Sequence, residues 1–337
     1  MKRHFSLLLS TVLCLSLAAC GPAQPQPTPT PQQKSQVGFY FDTVVTMQVY
    51  TDDEDLLTRA QAECQRYDDL LSKTHEGSDV WNINHAQGKR VAVSDETREI
   101  LEKALEYSRA SDGVFDITVE PCVALWDFTG EGMGLLPDEE ALAQAADKVD
   151  WTLVDINDEG VLLPPGMTID LGAIAKGYIT DQIADFLKAG GVESGYLNFG
   201  GNVLTIGHKP DGSEWNIGIQ DPLGKRDQNI VGAARVSDQA VVTSGIYERG
   251  FDLDGVRYHH ILDTSTGWPV QNELAGVSII APDAFDADAL STTVFAMGVE
   301  KGTAFIESLE GIEAIFVTRE DSVTWTSGLK DRFTPAQ

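Results

Sequence analysis

From residue 194 to residue 282 the chain is a succession of short β-rich runs separated by Gly and Asp turns: "SGYLNFGGNVLTIG", "EWNIGIQD", "GAARVSDQAVVTSG", "ERGFDLDGVRYHHILD" and "AGVSIIAP". Runs joined so tightly leave no room for the crossover helix that a parallel pair needs, so hairpins outnumber plausible βαβ units. Helical periodicity falls elsewhere. "DDEDLLTRAQAECQRYDDLLSKT" sets Leu56, Ala60, Cys64, Tyr67 and Leu71 on one face, and Asp95 stands as a cap ahead of Ile100, Leu101, Ala104 and Leu105. A short helix is expected near 138–148 and another from Ala284 to Met297, followed by a closing helix and strands; "VVTMQVY", "WTLVDI" and "GVLLPP" read as further strands. The sum is an α+β fold of mixed, mostly antiparallel sheets with packed helices, not a doubly wound sheet. At 337 residues and 42% hydrophobic composition the chain can bury a large core.

The first residues read as an address. Lys2 and Arg3 precede the apolar run "FSLLLSTVLCLSLAA", too short for a permanent span and suited to a signal peptide, residues 1–19. "LAAC" then resembles the bacterial lipobox, in which the cysteine, here Cys20, takes the lipid and becomes the mature N-terminus. "GPAQPQPTPTPQQKSQ" has no large apolar side chain to hold a core, so residues 20–37 are expected to be a lipidated cysteine and an extended tether, with the domain proper at 38–337. The location implied is the extracytoplasmic face of a bacterial cell membrane, held there by the lipid anchor.

With 24 Lys and Arg against 52 Asp and Glu, the net charge is −28, which repels nucleic-acid phosphates and excludes polynucleotide binding. The same charge repels any nucleotide unless a divalent metal screens its phosphates. Of four cysteines, Cys14 leaves with the signal and Cys20 carries lipid; Cys64 and Cys122 are either one bridge or two buried thiols. No CxxC, HExxH or Cys/His cluster points to zinc. "GIQDPLGKR" fails as a P-loop, because five residues separate its glycines and Arg226 stands where Ser or Thr should be; no GxGxxG opens a helix after a strand.

Two stretches carry the chemistry. In "DLGAIAKG", Gly172 and Ala173 at a helix start let a phosphate approach free backbone amides, with Lys176 one turn in and Asp170 as either a helix cap or a ligand acceptor. The same residues also read as a plain cap, a turn and a solvated charge. In "APDAFDADALSTTVFAMG", Asp283 is a natural cap, and Asp288 and Thr292, four apart, share a helical face from which both reach a hard cation. His259 and His260 lie within a strand signature and must face opposite ways, so one at most enters a given pocket.

"FDTVVTM", "LLSKTHEGSDVWNIN", "GVFDITVEPCVALWDF", "IDLGAIAKGYITDQIADFLKAGGV", "NFGGNV", "TSGIYER", "RYHHILDTSTGWPV" and "APDAFDADALSTTVFAMG" follow one another in the order of the ApbE family, which the chain resembles from about residue 38 to 330. The family, related to the T-fold, moves FMN from FAD onto a Thr or Ser of a target protein and releases AMP. The resemblance implies that the Ala173 carbonyl, Asp288 and Thr292 hold Mg²⁺. It also implies that FAD is gripped by Val114, Phe115 and Asp116, by Asp170 and Lys176, and near Leu262. His260 matches the histidine that takes the acceptor hydroxyl's proton. Phe41 and Thr74 stand at the flavin-side positions. There the chain departs from the pattern: Phe41 and Asp42 replace a usual Met-Gly, Thr74 replaces an aromatic, and Thr264 replaces a proline. Trp81 or Phe41 is expected to supply the missing ring. The partner implied is an acceptor protein with a Thr/Ser flavinylation motif, a membrane electron-transfer subunit. Two other readings use the same parts: an FAD pyrophosphatase yielding FMN and AMP, and a noncatalytic FAD-binding lipoprotein.

Overall fold

Residues 31–130, 132–224 and 229–336 are described by the computed structural model. In chain order they form β1 (Gln33–Tyr40), β2 (Thr43–Tyr50), α1 (Leu56–Leu71), α2 (Asp79–His85), α3 (Asp95–Ala110), α4 (Glu120–Val123), α5 (Glu139–Ala146), β3 (Asp155–Asn157), β4 (Gly160–Leu162) and α6 (Ala175–Ala189). The second half adds β5 (Gly195–Phe199), β6 (Asn202–Ile206), β7 (Trp215–Gln220), β8 (Ile230–Val236), β9 (Ala240–Gly245), β10 (Gly250–Leu253), β11 (Val256–His259), β12 (Leu274–Ala281), α7 (Ala284–Glu307), β13 (Glu313–Thr318), β14 (Val323–Trp325) and β15 (Phe333–Pro335). The signal segment 1–19 and Cys20 lie outside the described residues.

The frame is an eight-stranded sheet in the order β1-β2-β5-β6-β9-β12-β13-β14, antiparallel at every pair. A three-stranded sheet β15-β8-β7 and two hairpins, β10-β11 and β3-β4, complete it. β8 and β9 are joined by only three residues, yet they belong to different sheets, so the chain changes layer at Ser237–Gln239. Helices α6 and α7 pack against each other, and α7 lies on β9 and β12. Strand β12 is buried along its whole length, which suits a central strand covered on both faces.

The main core takes the apolar faces that periodicity marks: Leu56, Ala60, Cys64, Tyr67 and Leu71 of α1 are all buried, as are Ile179, Ile183 and Leu187 of α6. Three boundaries differ from the sequence reading. The tether expected to reach residue 37 gives way at Gln33, because β1 pairs with β2 from Gln33↔Tyr50 to Tyr40↔Thr43. That pairing uses backbone groups, so polar residues serve; Lys34 and Gln36 also bond Glu54 and Gln61. Helix α3 is capped by Ser94, whose hydroxyl accepts from the Thr97 amide (3.1 Å), and Asp95 is its first residue. The strand expected at "WTLVDI" begins only at Asp155, because Trp151–Leu153 wind into a 3-10 turn opened by the Asp150 carboxylate accepting from the Thr152 N–H. The helix expected over 284–297 does end its regular run there, at Gly298 (φ 78°, ψ 176°), before a closing helical stretch to Glu307. Cys64 and Cys122 are free thiols in separate core clusters. Among the described residues no helix is long and apolar enough to cross a membrane.

Candidate functional site

The chain from Asp170 to Lys176 does not open straight into helix. Asp170 Oδ1 accepts from the Gly172 N–H (2.6 Å), and the Leu171 carbonyl accepts from Ile174 and Ala175 (3.1 and 2.8 Å), so α6 begins only at Ala175. Asp170 is therefore the acceptor of a tight turn and not the helix cap, and Gly172 and Ala173 sit in that turn. Lys176, in the first turn of α6, folds its Nζ back to the Gly172 carbonyl (3.0 Å) and reaches Asp288 Oδ1 at 3.4 Å.

Asp288 is brought there by a close crossing of α6 and α7. Asp283 caps α7 by accepting from the Asp286 N–H (2.8 Å), while Asp181 of α6 accepts from the next free amides, Ala284 and Phe285 (2.9 and 2.8 Å). Gly177 lets the backbones touch, and its N–H donates to Asp288 Oδ2 (2.9 Å). Asp288 is 3% exposed. One turn on, Thr292 Oγ1 lies 3.5 Å from Ser244 Oγ, which is itself 2.8 Å from Ser291 Oγ. Ser244, inside "TSGIYER" on β9, was given no role from sequence; only the strand-to-helix contact reveals it.

The two histidines do face opposite ways. His259 is fully buried, pairs its Nε2 with the Val270 carbonyl (2.9 Å) and receives the Ile261 N–H at Nδ1 (3.4 Å). Burial pushes its imidazole down to about 4. His260 is half-buried, with Nδ1 directed at the Arg249 carbonyl (3.4 Å), which leaves Nε2 free. Desolvation holds His260 well below the usual imidazole range, and positive charge on His259, Arg249 and Lys176 acts in the same direction.

The remaining candidates are tied to Asp170. Its N–H donates to the Ile117 carbonyl (2.8 Å), and the Asn84 side chain exchanges two hydrogen bonds with the Ile169 main chain (2.9 and 2.8 Å). Thr264, in the proline position, donates its hydroxyl to the Gly113 carbonyl (2.7 Å), so it ties the loop after His260 to Val114–Asp116. Within that segment Phe115 is buried against Tyr107, and the Asp116 carboxylate is spent on Thr118 and the Trp151 N–H (3.0 Å). The Val114 and Phe115 amides are bonded to Ser111, so the half-buried Val114 side chain and the carbonyls of 114 and 115 are what this segment has left for a ligand. Leu262 is buried beside Cys122 and Trp126. Thr74 is exposed on the loop after α1, next to Lys73, which pairs with Asp170 (2.6 Å).

Phe41 is the exception. It and Asp42 turn the β1–β2 hairpin with φ 55° at both residues, a conformation that costs a bulky side chain about 1–3 kcal/mol. Its ring stacks on Phe199 (6.3 Å) and its N–H donates to Asp68 (3.2 Å). Trp81, the other expected stand-in ring, already stacks on His85 at 4.0 Å.

Among the described residues no three His, Cys, Asp or Glu side chains gather as a metal cluster. The oxygens at the α6–α7 crossing are the buried Asp288 carboxylate, the Ser244, Ser291 and Thr292 hydroxyls and the Gly172 carbonyl. That donor set fits a hard cation that keeps open positions for phosphate.

The ApbE family profile matches residues 41–316. An FAD:protein FMN transferase of Klebsiella pneumoniae (strain 342) is 38% identical over 294 residues, covering 86% of this chain and 91% of its own. An FAD:protein FMN transferase of Treponema pallidum (strain Nichols) is 36% identical over 286 residues, covering 80% and 78%. Among solved structures, the ApbE protein from Thermotoga maritima superposes with a TM-score of 0.82 at 33% identity, covering 89% of this chain and 98% of its own. The apo form of the Pseudomonas stutzeri flavinyl transferase ApbE gives 0.80 at 30% identity, covering 91% and 99%.

Proposed function

The chain belongs to the ApbE family, and from that premise we propose that it transfers FMN from FAD to a Thr or Ser hydroxyl of an acceptor protein and releases AMP. The observation that supports this reading is the α6–α7 crossing, where Lys176 meets the buried carboxylate of Asp288 beside the Gly172–Ala173 turn.

In the reaction the acceptor oxygen attacks the FMN-side phosphorus, the P–O bond to AMP breaks, and AMP departs with the electron pair. Nε2 of His260 takes the hydroxyl proton, because Nδ1 is turned toward the Arg249 carbonyl and the depressed basicity keeps the ring neutral and ready to accept. Lys176 neutralises a pyrophosphate oxygen from the start of α6, releasing its contacts to Gly172 and Asp288 to do so. The Val114 side chain, the carbonyls of 114 and 115, Asp170 and the segment at Leu262 orient the dinucleotide. Asp288, Thr292 and the Ala173 carbonyl would hold Mg²⁺, which supplies charge neutralisation at the pyrophosphate. It also answers the charge problem: an acidic protein accepts an anionic substrate through a cation.

The lipobox-like "LAAC" at Cys20 supports anchoring at the extracytoplasmic membrane face, with a membrane electron-transfer subunit as the acceptor. Incubating the protein with FAD, Mg²⁺ and an acceptor protein separates transfer from its alternatives. Covalent flavin on the acceptor supports the proposal; free FMN with no adduct means hydrolysis, and neither product means a binding protein.

A further inference from the structure

We propose that Lys73 is a positioning residue for the FAD seat, acting through Asp170, and that Glu120 is the counter-charge that keeps it in place. The inference rests on the FAD-binding reading above. Lys73 Nζ lies 2.6 Å from Asp170 Oδ2 and 2.8 Å from Glu120 Oε2. The three groups come from three separate pieces of chain: the loop after α1, the first residue of α4 and the turn before α6. All three side chains are mostly covered, at 35%, 14% and 20% exposure. Asp170 is thus held from both sides, by Lys73 at one oxygen and by the Gly172 N–H at the other. Lys73 also neighbours Thr74, so one ammonium fixes two elements of the expected FAD contact surface relative to each other.

The charges explain why a lysine is needed. Two carboxylates and one ammonium leave one net negative charge beside the place where a pyrophosphate must sit. Without Lys73 the two carboxylates face each other in a partly dry pocket, and both cannot stay ionised at ordinary cost. Burial and the charge of Asp170 already push the Glu120 carboxyl upward, and Lys73 restrains it. Burial acts upward on Asp170 most strongly, but Lys73, the Gly172 N–H and Glu120 together hold that carboxyl below its ordinary range. Loss of Lys73 therefore either leaves a second negative charge facing the phosphates or releases Asp170 from the turn that carries Gly172, Ala173 and Lys176.

The test compares wild type with Lys73→Met, Lys73→Arg, Glu120→Gln and the Lys73→Met/Glu120→Gln double variant. FAD affinity is read by flavin fluorescence, and turnover by AMP release in the presence of an acceptor protein. Lys73→Met should raise both the FAD Kd and KM about tenfold, equivalent to about 1.4 kcal/mol, with kcat within about twofold of wild type. Lys73→Arg should restore affinity, and the double variant should return to within about threefold of wild type because it regains a single negative charge. Glu120→Gln alone, which keeps Lys73 on Asp170 and removes a charge, should bind FAD about threefold more tightly; this arm decides the matter if Lys73→Met does not fold. Unchanged FAD affinity in Lys73→Met, a double variant no tighter than Lys73→Met, or weakened binding in Glu120→Gln overturns the inference. Wild-type protein that does not bind FAD overturns the functional reading itself, whereas wild-type binding with an indifferent Lys73 variant overturns only the role of Lys73.

Discussion

Gly177→Ala tests the crossing on which the site depends. A methyl at this position would lie 2.7 Å from the Cβ of Asp288 and closer still to the Ala284 carbonyl oxygen, against an ordinary contact of 3.4–4 Å. Because one obstacle is the α7 main chain, rotamer changes cannot relieve it and the helices must part. Overpacking of this kind costs about 1–3 kcal/mol, and a backbone clash belongs at the upper end. Alanine recovers about 1 kcal/mol of helix propensity over glycine, which leaves a net loss of about 2 kcal/mol. For a domain of this size that is a fall in Tm of about 3 °C. The same movement draws the Gly177 N–H away from Asp288 Oδ2, now 2.9 Å apart, and shifts the carboxylate relative to Lys176. Urea denaturation should show the stability loss, and titration with Mg²⁺ and FAD followed by flavin fluorescence should show weaker binding well below the melting range. A variant as stable as wild type, or more stable as propensity alone requires, would falsify the proposed close packing of α6 on α7.

Other outcomes follow from the same geometry. Asp288→Ala should abolish flavin transfer, as chelation of Mg²⁺ should in the unmodified protein; in-gel flavin fluorescence of the acceptor reads both, and a fully active variant refutes the metal assignment. His260→Ala should keep FAD affinity while transfer falls by about 10²–10⁴-fold, the usual worth of a positioned base. Since His260 is held below the ordinary imidazole range, the acid limb of the pH–rate profile should lie below pH 6.5, and a limb at 6.5 or above contradicts that environment. Burial pushes the Asp181 carboxyl up to about 7, against the pull of the Ala284 and Phe285 amides. The folded state binds this proton more tightly than the unfolded chain, so its contribution is complete below about pH 4 and is lost as pH rises through about 7. Asp181→Asn should flatten the pH dependence of stability across that window, and an unaltered slope counts against it.

Local pattern carried much of the fold. The apolar stripe of α1, the cap at Asp283 and the end of the regular helix before Gly298 are short-range features, set by side chains within a few residues of one another. The large antiparallel sheet follows from tight Gly and Asp turns. Sheet membership did not: β8 and β9 read as consecutive strands, and only the long-range pairing of β8 with β7 and β15 assigns it to the smaller sheet. In the candidate site, the Asp288–Thr292 pairing is legible because a helix spaces them, Asp170 and Lys176 because they flank a glycine-bearing helix start, and the role expected of His260 comes from the family motifs alone. What stayed hidden depends on partners distant in sequence. Lys73 meets Glu120 across 47 residues and Asp170 across 97, and Ser244 meets Thr292 across 48. Nothing in "LLSKTHEG" or "TSGIYER" marks those residues individually. Asp116 shows the converse: motif position suggested a ligand contact, but its carboxylate turns inward to Thr118 and Trp151.

Lys176 and Asp288 are separated by 112 positions along the chain. A nascent polypeptide that has not yet made its final third possesses the lysine without the carboxylate it pairs with, and α6 without the helix it packs on. For the same reason truncations ahead of α7 should be inert toward FAD however well their remaining strands pair.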